Sequence, residues 1–168
     1  MWLIFYLEFV WSFPFSNFGI IPLTLQGIIG IFMAPLIHAD INHLVSNTIP
    51  LLFLGTVLFF FYARIAGIVF LRCYFVTNIL VWLLAWRQSI HIGASGLVYG
   101  LAFFLIFFGI FRRDFLSMLI SIIILLMYGG VFYGVLPSDP RISWESHLAG
   151  AVVGVYTAIT FAKNKRVA

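Results

Sequence analysis

Charged residues are scarce in this chain, and that scarcity decides its class. Only 8% of the 168 residues are charged, whereas 64% are hydrophobic. A soluble domain of this length could not bury so much apolar surface, because a large part of any small fold stays in contact with water. The composition therefore excludes a soluble enzyme or binding module and indicates a multi-pass membrane protein.

Cysteine is almost absent, and no basic leader precedes the first apolar run. The single cysteine, Cys73, excludes an intrachain disulfide, and its place in an apolar run without a nearby histidine favours a small apolar filler over a nucleophile. Because Met1 starts directly in an apolar run, we expect no cleavable signal peptide. The net charge of +4 does not indicate a nucleic-acid partner, since most basic residues flank apolar runs.

Six apolar runs each predict one membrane helix. The first, Met1 to Phe13, is interrupted by Glu8 and would reach only about 20 Å of a hydrocarbon core of about 30 Å, which favours a helix that begins upstream of Met1. The others cover approximately residues 42–62, 66–86, 95–111, 115–136 and 143–162. Three prolines and three glycines break residues 14–42, so this stretch is predicted as an interfacial loop with short helices.

The basic residues predict the orientation of these spans. One side would carry Arg64, Arg112, Arg113, Lys163, Lys165 and Arg166, and the other only Arg87 and Arg141. Since the richer side is usually cytoplasmic, both termini should lie inside. The sequence thus predicts an all-α membrane protein, a six-transmembrane-helix bundle with both termini cytoplasmic, in the cell (inner) membrane.

Ser95 and His147 are the predicted reactive pair. In this topology all four histidines lie on the outer side with Ser95, which opens the fourth span while His147 opens the sixth. Below Ser95 stand Gly96 and Gly100, and below His147 stand Gly150 and Gly154. Such small residues four apart let two membrane helices approach closely, and the serine would then meet the base that it needs as a nucleophile.

No aspartate is placed to complete a triad. Glu145 projects to another helix face than His147 and fits a first-turn acid better, which favours a two-residue dyad. Tyr99, one turn below Ser95, could pack against the imidazole. His43 and Asn47 share a face at the start of the second span and, with the Ser95 amide, could stabilise an oxyanion.

Each of these signals alone also fits ordinary packing, and other classes stay open. A serine among small residues occurs at tight helix contacts, and a lone histidine is often satisfied by a neighbour. The histidines with Asp40 and Glu145 could bind zinc, but no His-Glu-x-x-His spacing is present, so we expect no metal and no cofactor. A non-enzymatic protein that binds membrane clients is a further alternative, whereas a transporter would need acidic residues at midplane.

Three segments resemble motifs of the rhomboid family of intramembrane serine proteases. Residues 38–47 (HADINHLVSN) resemble its histidine-rich start of the second helix. Residues 93–100 (GASGLVYG) and 147–154 (HLAGAVVG) resemble its nucleophile and base motifs. The likeness runs from about Gln26 to Lys163. It departs in the first loop, where many members carry a tryptophan–arginine pair and this chain reads LQGIIG at 25–30.

The resemblance implies a function and a site. It implies a single transmembrane domain over residues 1–168 with the interfacial loop at 14–42, acting on single-pass or multi-pass membrane proteins in the lipid bilayer. The first loop and fifth helix would be gates. It implies Ser95 as nucleophile and His147 as base. The implied oxyanion and substrate-binding set is His43, Asn47, Tyr99, Gly93 and His38, with His38 structural or water-handling. For His91 we predict only an aqueous loop residue.

Overall fold

The computed structural model describes residues 1–86, 89–137 and 143–163, and these are mostly helical. The helices are α1 (Trp2–Trp11), α2 (Leu25–Met33), α3 (Ile41–Phe61), α4 (Ala63–Leu71), α5 (Thr77–Leu84), α6 (Ser95–Arg112), α7 (Phe115–Tyr128), α8 (Val131–Gly134) and α9 (Trp144–Ala162). Helices were predicted over 42–62, 66–86, 95–111 and 143–162, and each is present within three residues of its expected ends.

Length and composition make the chain an integral membrane protein. Three helical stretches of the described residues are long and apolar enough to cross a bilayer: Ile41–Phe61, Ala63–Leu84 and Ser95–Arg112. Helices α1 and α7 are apolar but shorter. The count of six spans and the side of the termini therefore stay predictions. Four of the basic residues behind the predicted orientation lie outside the described residues, namely Arg87, Arg141, Lys165 and Arg166.

Helix α6 is the centre of the bundle. Leu101, Phe104 and Leu105 on it are 0% exposed, and α9 and α7 are its most extensive partners. A Cβ added at Gly150 would strike the carbonyl oxygen of Gly96, so the two backbones touch where α9 crosses α6. The predicted packing of the glycine stripes is confirmed, and it brings the first turns of α6 and α9 together.

The stretch before α3 folds as short helices, as predicted. A 3-10 turn at Phe15–Phe18 precedes α2, and a second follows it at Ala34–Leu36. The Thr24 side chain caps α2 by accepting a hydrogen bond from the Gly27 N–H at 3.0 Å. Asn78 on α5 donates to the Ile31 carbonyl at 2.9 Å, so this region is anchored to α5.

The prediction that the fifth helix extends to Leu136 is wrong. Helix α7 ends at Tyr128, a turn follows at Gly129 and Gly130, and α8 is a single short turn. Two successive glycines disfavour a helix because they lose the most backbone freedom when ordered. Beyond the break, Gly134 lies against the hydroxyl of Tyr99.

The third predicted helix is interrupted by a wider turn. Residues Arg72–Val76 form one π-helical turn between α4 and α5. Cys73 in this turn is 0% exposed, and a Cβ at Gly100 would lie 2.9 Å from its Cβ. Cys73 is thus part of the apolar core, as predicted.

Candidate active site

One cleft is lined by most of the residues that the sequence singled out, but not by His38 or Gly93. It measures about 890 Å³ and is lined by His43, Asn47, Ser95, Tyr99 and His147, among others. These residues come from α3, α6 and α9, so only the packing of the bundle brings them together.

Ser95 is the first residue of α6, and the turn before it depends on glycine. Gly93 has φ +104°, a conformation that side chains rarely adopt, and a Cβ there would lie 2.5 Å from Nε2 of His43. The Gly93 N–H donates to the Ala34 carbonyl at 2.8 Å, so that amide is already used. The amide of Ser95 has no helical partner, because the first N–H groups of a helix lack one.

The His147 ring is held in one orientation by two contacts. It is stacked on Tyr99, with ring centroids 4.0 Å apart and planes within 7°, which confirms the predicted packing. Its Nδ1 lies 2.9 Å from the Gly134 carbonyl oxygen. A carbonyl can only accept, so Nδ1 carries the proton and Nε2 of the neutral ring carries a lone pair. No residue that the structure describes makes a hydrogen bond to Nε2.

Ser95 and His147 line the same cleft and are not hydrogen-bonded to each other. Both line the cleft, and a Cβ at Gly96 would lie 3.1 Å from the carbonyl oxygen of Ser146, so the residues that adjoin the pair are in contact. Catalytic hydrogen bonds are often long or misaligned until a substrate binds. The shared cleft and the contact of the adjoining residues are the observations that bear on a reaction between the two side chains.

His43 and Asn47 lie on the same face of α3, at the cleft. Asp40 caps the helix by accepting the His43 N–H at 2.9 Å. The Asn47 amide donates to the His43 carbonyl at 2.8 Å, which uses one of its two N–H bonds. The second N–H of Asn47 and the imidazole of His43 remain as donors on the wall of the cleft.

His38 is a buried residue behind the serine turn. It is 2% exposed, and its Nε2 accepts the Ala94 N–H at 3.4 Å. Its ring packs edge-on against His43 at 4.9 Å between centroids. Burial, with a smaller contribution from His43, lowers the pKa of His38 to about 4, so the ring is neutral at pH 7. It supports the residue that precedes Ser95.

Two residues of this region were missed or misplaced by sequence reasoning. Gly134 was expected inside a helix, and only the preceding glycine pair hinted at a break. The prediction that His91 is an aqueous loop residue is wrong, since it is 3% exposed. Its partners are Ser89 and Ser143, and the latter is 52 residues away, beyond the reach of any local pattern.

The acidic residues near the cleft take no place beside His147. Glu145 lies in the first turn of α9, as predicted. Among residues 1–86, 89–137 and 143–163, no group of three or more His, Cys, Asp or Glu side chains is placed to hold a metal ion.

The fold and the cleft define this chain as a helical membrane protein with a serine and a histidine at one cleft. Comparison with known proteins gives its family. The rhomboid domain family model matches residues 26–164, and the chain belongs to the rhomboid family. Rhomboid proteins are in general intramembrane serine proteases.

The relatives found are mycobacterial. The chain is 37% identical over 164 residues to an uncharacterized protein of Mycobacterium tuberculosis and to one of Mycobacterium bovis, which covers 88% of this chain and 65% of each relative. It is 36% identical over 167 residues to an uncharacterized protein of Mycobacterium leprae, covering 90% of this chain and 63% of that protein. The chain thus spans just under two thirds of the length of these curated relatives. No solved structure matches it.

Proposed function

We propose that this chain is an intramembrane serine endopeptidase that cuts transmembrane segments of membrane proteins with a Ser95–His147 dyad. One observation carries the proposal. The His147 ring is stacked on Tyr99 and bonded through Nδ1 to the Gly134 carbonyl, in the cleft that Ser95 lines.

The reaction follows from the protonation of this ring. Ser95 Oγ attacks the scissile carbonyl while Nε2 of His147 takes its proton. The Gly134 carbonyl keeps the ring in the required tautomer and accepts from the imidazolium, a task that an aspartate performs in the familiar triad. The imidazolium then protonates the leaving amine, and the C–N bond breaks. Water, activated by the same nitrogen, hydrolyses the acyl-enzyme.

The negative charge that develops on the scissile carbonyl oxygen needs hydrogen-bond donors in the cleft. The free N–H of Asn47, the imidazole of His43 and the Ser95 amide are the proposed set, and removal of one such donor typically costs about 10²–10³ in kcat. Gly93 gives the His43 ring its space, and His38 supports the turn from behind.

The substrate is proposed to be a membrane-protein segment that enters as an extended strand. A helix hides its carbonyls in its own hydrogen bonds, so only an unwound segment offers one to Ser95. With six spans and both termini inside, the cleft would open toward the outer face of the cell membrane. Residues 1–168 would form a single domain, with the first loop at 14–42 near the interface.

The test is cleavage of a fluorescent transmembrane substrate by the protein in proteoliposomes, with fluorophosphonate labelling as the second readout. We expect Ser95→Ala and His147→Ala each to abolish cleavage without lowering the melting temperature. The matched control is Ser46→Ala, which removes an exposed hydroxyl from the same cleft and should keep both readouts.

Two results would count against the proposal. Cleavage by Ser95→Ala would remove the nucleophile assignment. Stable capture of the substrate by the native protein without any cleavage would favour a client-binding role instead.

A further inference from the structure

His91 is a buried polar residue that lines the cleft. It stands four residues before Ser95 and is 3% exposed, yet both of its ring nitrogens have partners. Nε2 lies 2.9 Å from the Ser89 hydroxyl and Nδ1 lies 2.5 Å from the Ser143 hydroxyl. A buried imidazole with both nitrogens satisfied is held in one orientation.

The hydrogen bonds around this ring have a definite direction. Ser89 donates its only proton to the Trp86 carbonyl at 2.7 Å, so its oxygen accepts from Nε2 of His91. In the neutral ring, Nδ1 is then the acceptor for the Ser143 hydroxyl. Ser143 accepts in turn from Ser146, whose hydroxyl lies 2.7 Å away. One continuous chain therefore runs from the loop before α6 into the first turn of α9.

Ser143 connects this chain to His147. It is the N-cap residue of α9, and its carbonyl accepts the N–H of His147 at 3.3 Å. Whatever places Ser143 therefore also places the start of the helix that carries the proposed base.

The backbone of His91 is fixed as firmly as its ring. Its N–H donates to the Ile20 carbonyl, and its carbonyl accepts the Ile20 N–H, both at 2.9 Å. The main chain is thereby held to the segment before α2, and the side chain to α9. His91 therefore connects the turn before Ser95 to the first turn of α9.

We propose that His91 is a positioning residue that aligns the Ser95 turn with the first turn of α9 through Ser143. The inference rests on the proposed dyad, because alignment matters for catalysis only if Ser95 and His147 react together. It assigns to His91 no contact with substrate.

The first test measures cleavage per fluorophosphonate-titrated site. We expect His91→Ala to lower kcat about tenfold or more with little change in KM, because a misplacement near 1 Å can cost about 10² in rate. Ser143→Ala should have a similar effect, and the double variant should be no worse than His91→Ala alone, since both remove one connection. His91→Asn keeps an acceptor near the Nδ1 position and should recover much of the rate.

Ser46→Ala is the matched control, because it removes a hydroxyl that lines the same cleft and bonds to neither His91 nor Ser143. It should change kcat less than threefold. Equal losses in the Ser46 and Ser143 variants, or no rescue by asparagine, would overturn the positioning role in favour of a purely structural one.

The second test does not depend on activity. Hydrogen exchange of the peptide over residues 143–149, followed by mass spectrometry, should be faster in His91→Ala than in the native protein. If the native protein cleaves and His91→Ala cleaves equally fast, the positioning role is wrong while the protease assignment stands. If the native protein does not cleave at all, the proposed function fails, and unchanged exchange would overturn the His91 link as well.

Discussion

Both halves of α6 pack against a neighbouring helix through glycines, but the polar side chains around the two halves differ in what they bind. Its N-terminal half touches α9 through Gly96 and Gly100. Its C-terminal half touches α7 at Gly109, where a Cβ would strike the carbonyl oxygen of Ser117. Close backbone contact of this kind stabilises helix pairs in a membrane. The hydrophobic effect does not drive helices together there, because lipid is as apolar as their side chains.

Beside the C-terminal half, the polar side chains of α7 and its N-cap are used in local hydrogen bonds. Ser121 donates to the Ile106 carbonyl at 2.5 Å, so this hydroxyl joins α7 to α6. Asp114 accepts from the Ser117 N–H at 3.0 Å and from Arg112 at 2.5 Å. These groups complete the structure of the α6–α7 connection.

The N-terminal half leaves reactive atoms unused. Among the described residues, Ser95 Oγ and Nε2 of His147 make no hydrogen bond in the cleft that they line. Behind them, the buried Nδ1 of His38 has no partner among these residues either. Buried polar atoms are nearly always paired, because an unmet one costs about 1–3 kcal/mol. The comparison teaches that both seams are in backbone contact and that access distinguishes the cleft: Ser95 and His147 line it, whereas an unpartnered hydroxyl elsewhere in the part of the chain that the structure describes, that of Tyr62, is enclosed in the core.

The largest effect should come from filling the α6–α9 seam. A side chain at Gly150 would meet the Gly96 carbonyl and the Gly100 nitrogen, so Gly150→Val should lower the free energy of unfolding by about 2–3 kcal/mol and abolish cleavage. Thermal unfolding in detergent and the cleavage assay would measure both. Gly67→Val is the control, since nothing lies within 4 Å of that position. Equal behaviour of the two variants would contradict the close seam.

A substitution in the α6–α7 seam should lower stability without lowering activity. Gly109→Ala would press on Ser117 and should cost about 1–2 kcal/mol of unfolding free energy, because overpacking forces local shifts. Cleavage per titrated site should stay within about twofold of native, since no reactive group lies there. Gly55→Ala, with open space around it, is the reference for melting temperature. A large fall in kcat would show that the two halves are not independent.

A substitution at Gly134, just beyond the break after α7, should lower the rate of cleavage. A Cβ at Gly134 would collide with the Tyr99 hydroxyl, so Gly134→Ala should shift the ring under His147 and lower kcat about tenfold with little loss of stability. Removing that hydroxyl with Tyr99→Phe in the same chain should restore part of the rate. Gly130→Ala, with nothing within 4 Å, is the control. Failure of the phenylalanine to rescue would mean that the collision is not the cause.

The smallest predicted effect is a small loss of folding stability as the pH falls. Burial lowers the pKa of His38 from 6.5 to about 4, so between these values the unfolded chain binds more protons and stability falls as the pH falls. Linkage predicts a loss of about 1 kcal/mol near pH 6 relative to pH 8. Melting curves of the native protein and His38→Gln across this range would measure it. An identical pH slope in both would assign the sensitivity to another group.

Much of this site could be predicted because its signals are local. The glycine spacing on two helices and the position of Tyr99 one turn after Ser95 follow from 3.6-residue periodicity, and the structure confirms the contacts that they imply. The end of α7 at Tyr128 was missed because the apolar pattern continues through Gly129 and Gly130. The burial of His91 was missed because nothing in its neighbours reveals a partner as distant as Ser143.

From composition and periodicity alone come the membrane class and the positions of the main helices. These depend on hydropathy and on residue spacing, which are properties of the chain itself. Tertiary structure alone decided which nitrogen of His147 bears the proton, through the Gly134 carbonyl, and that His91 joins two loops. Hydrogen bonds between distant segments exist only once the helices have packed, because their geometry is set to within tenths of an ångström by the whole bundle.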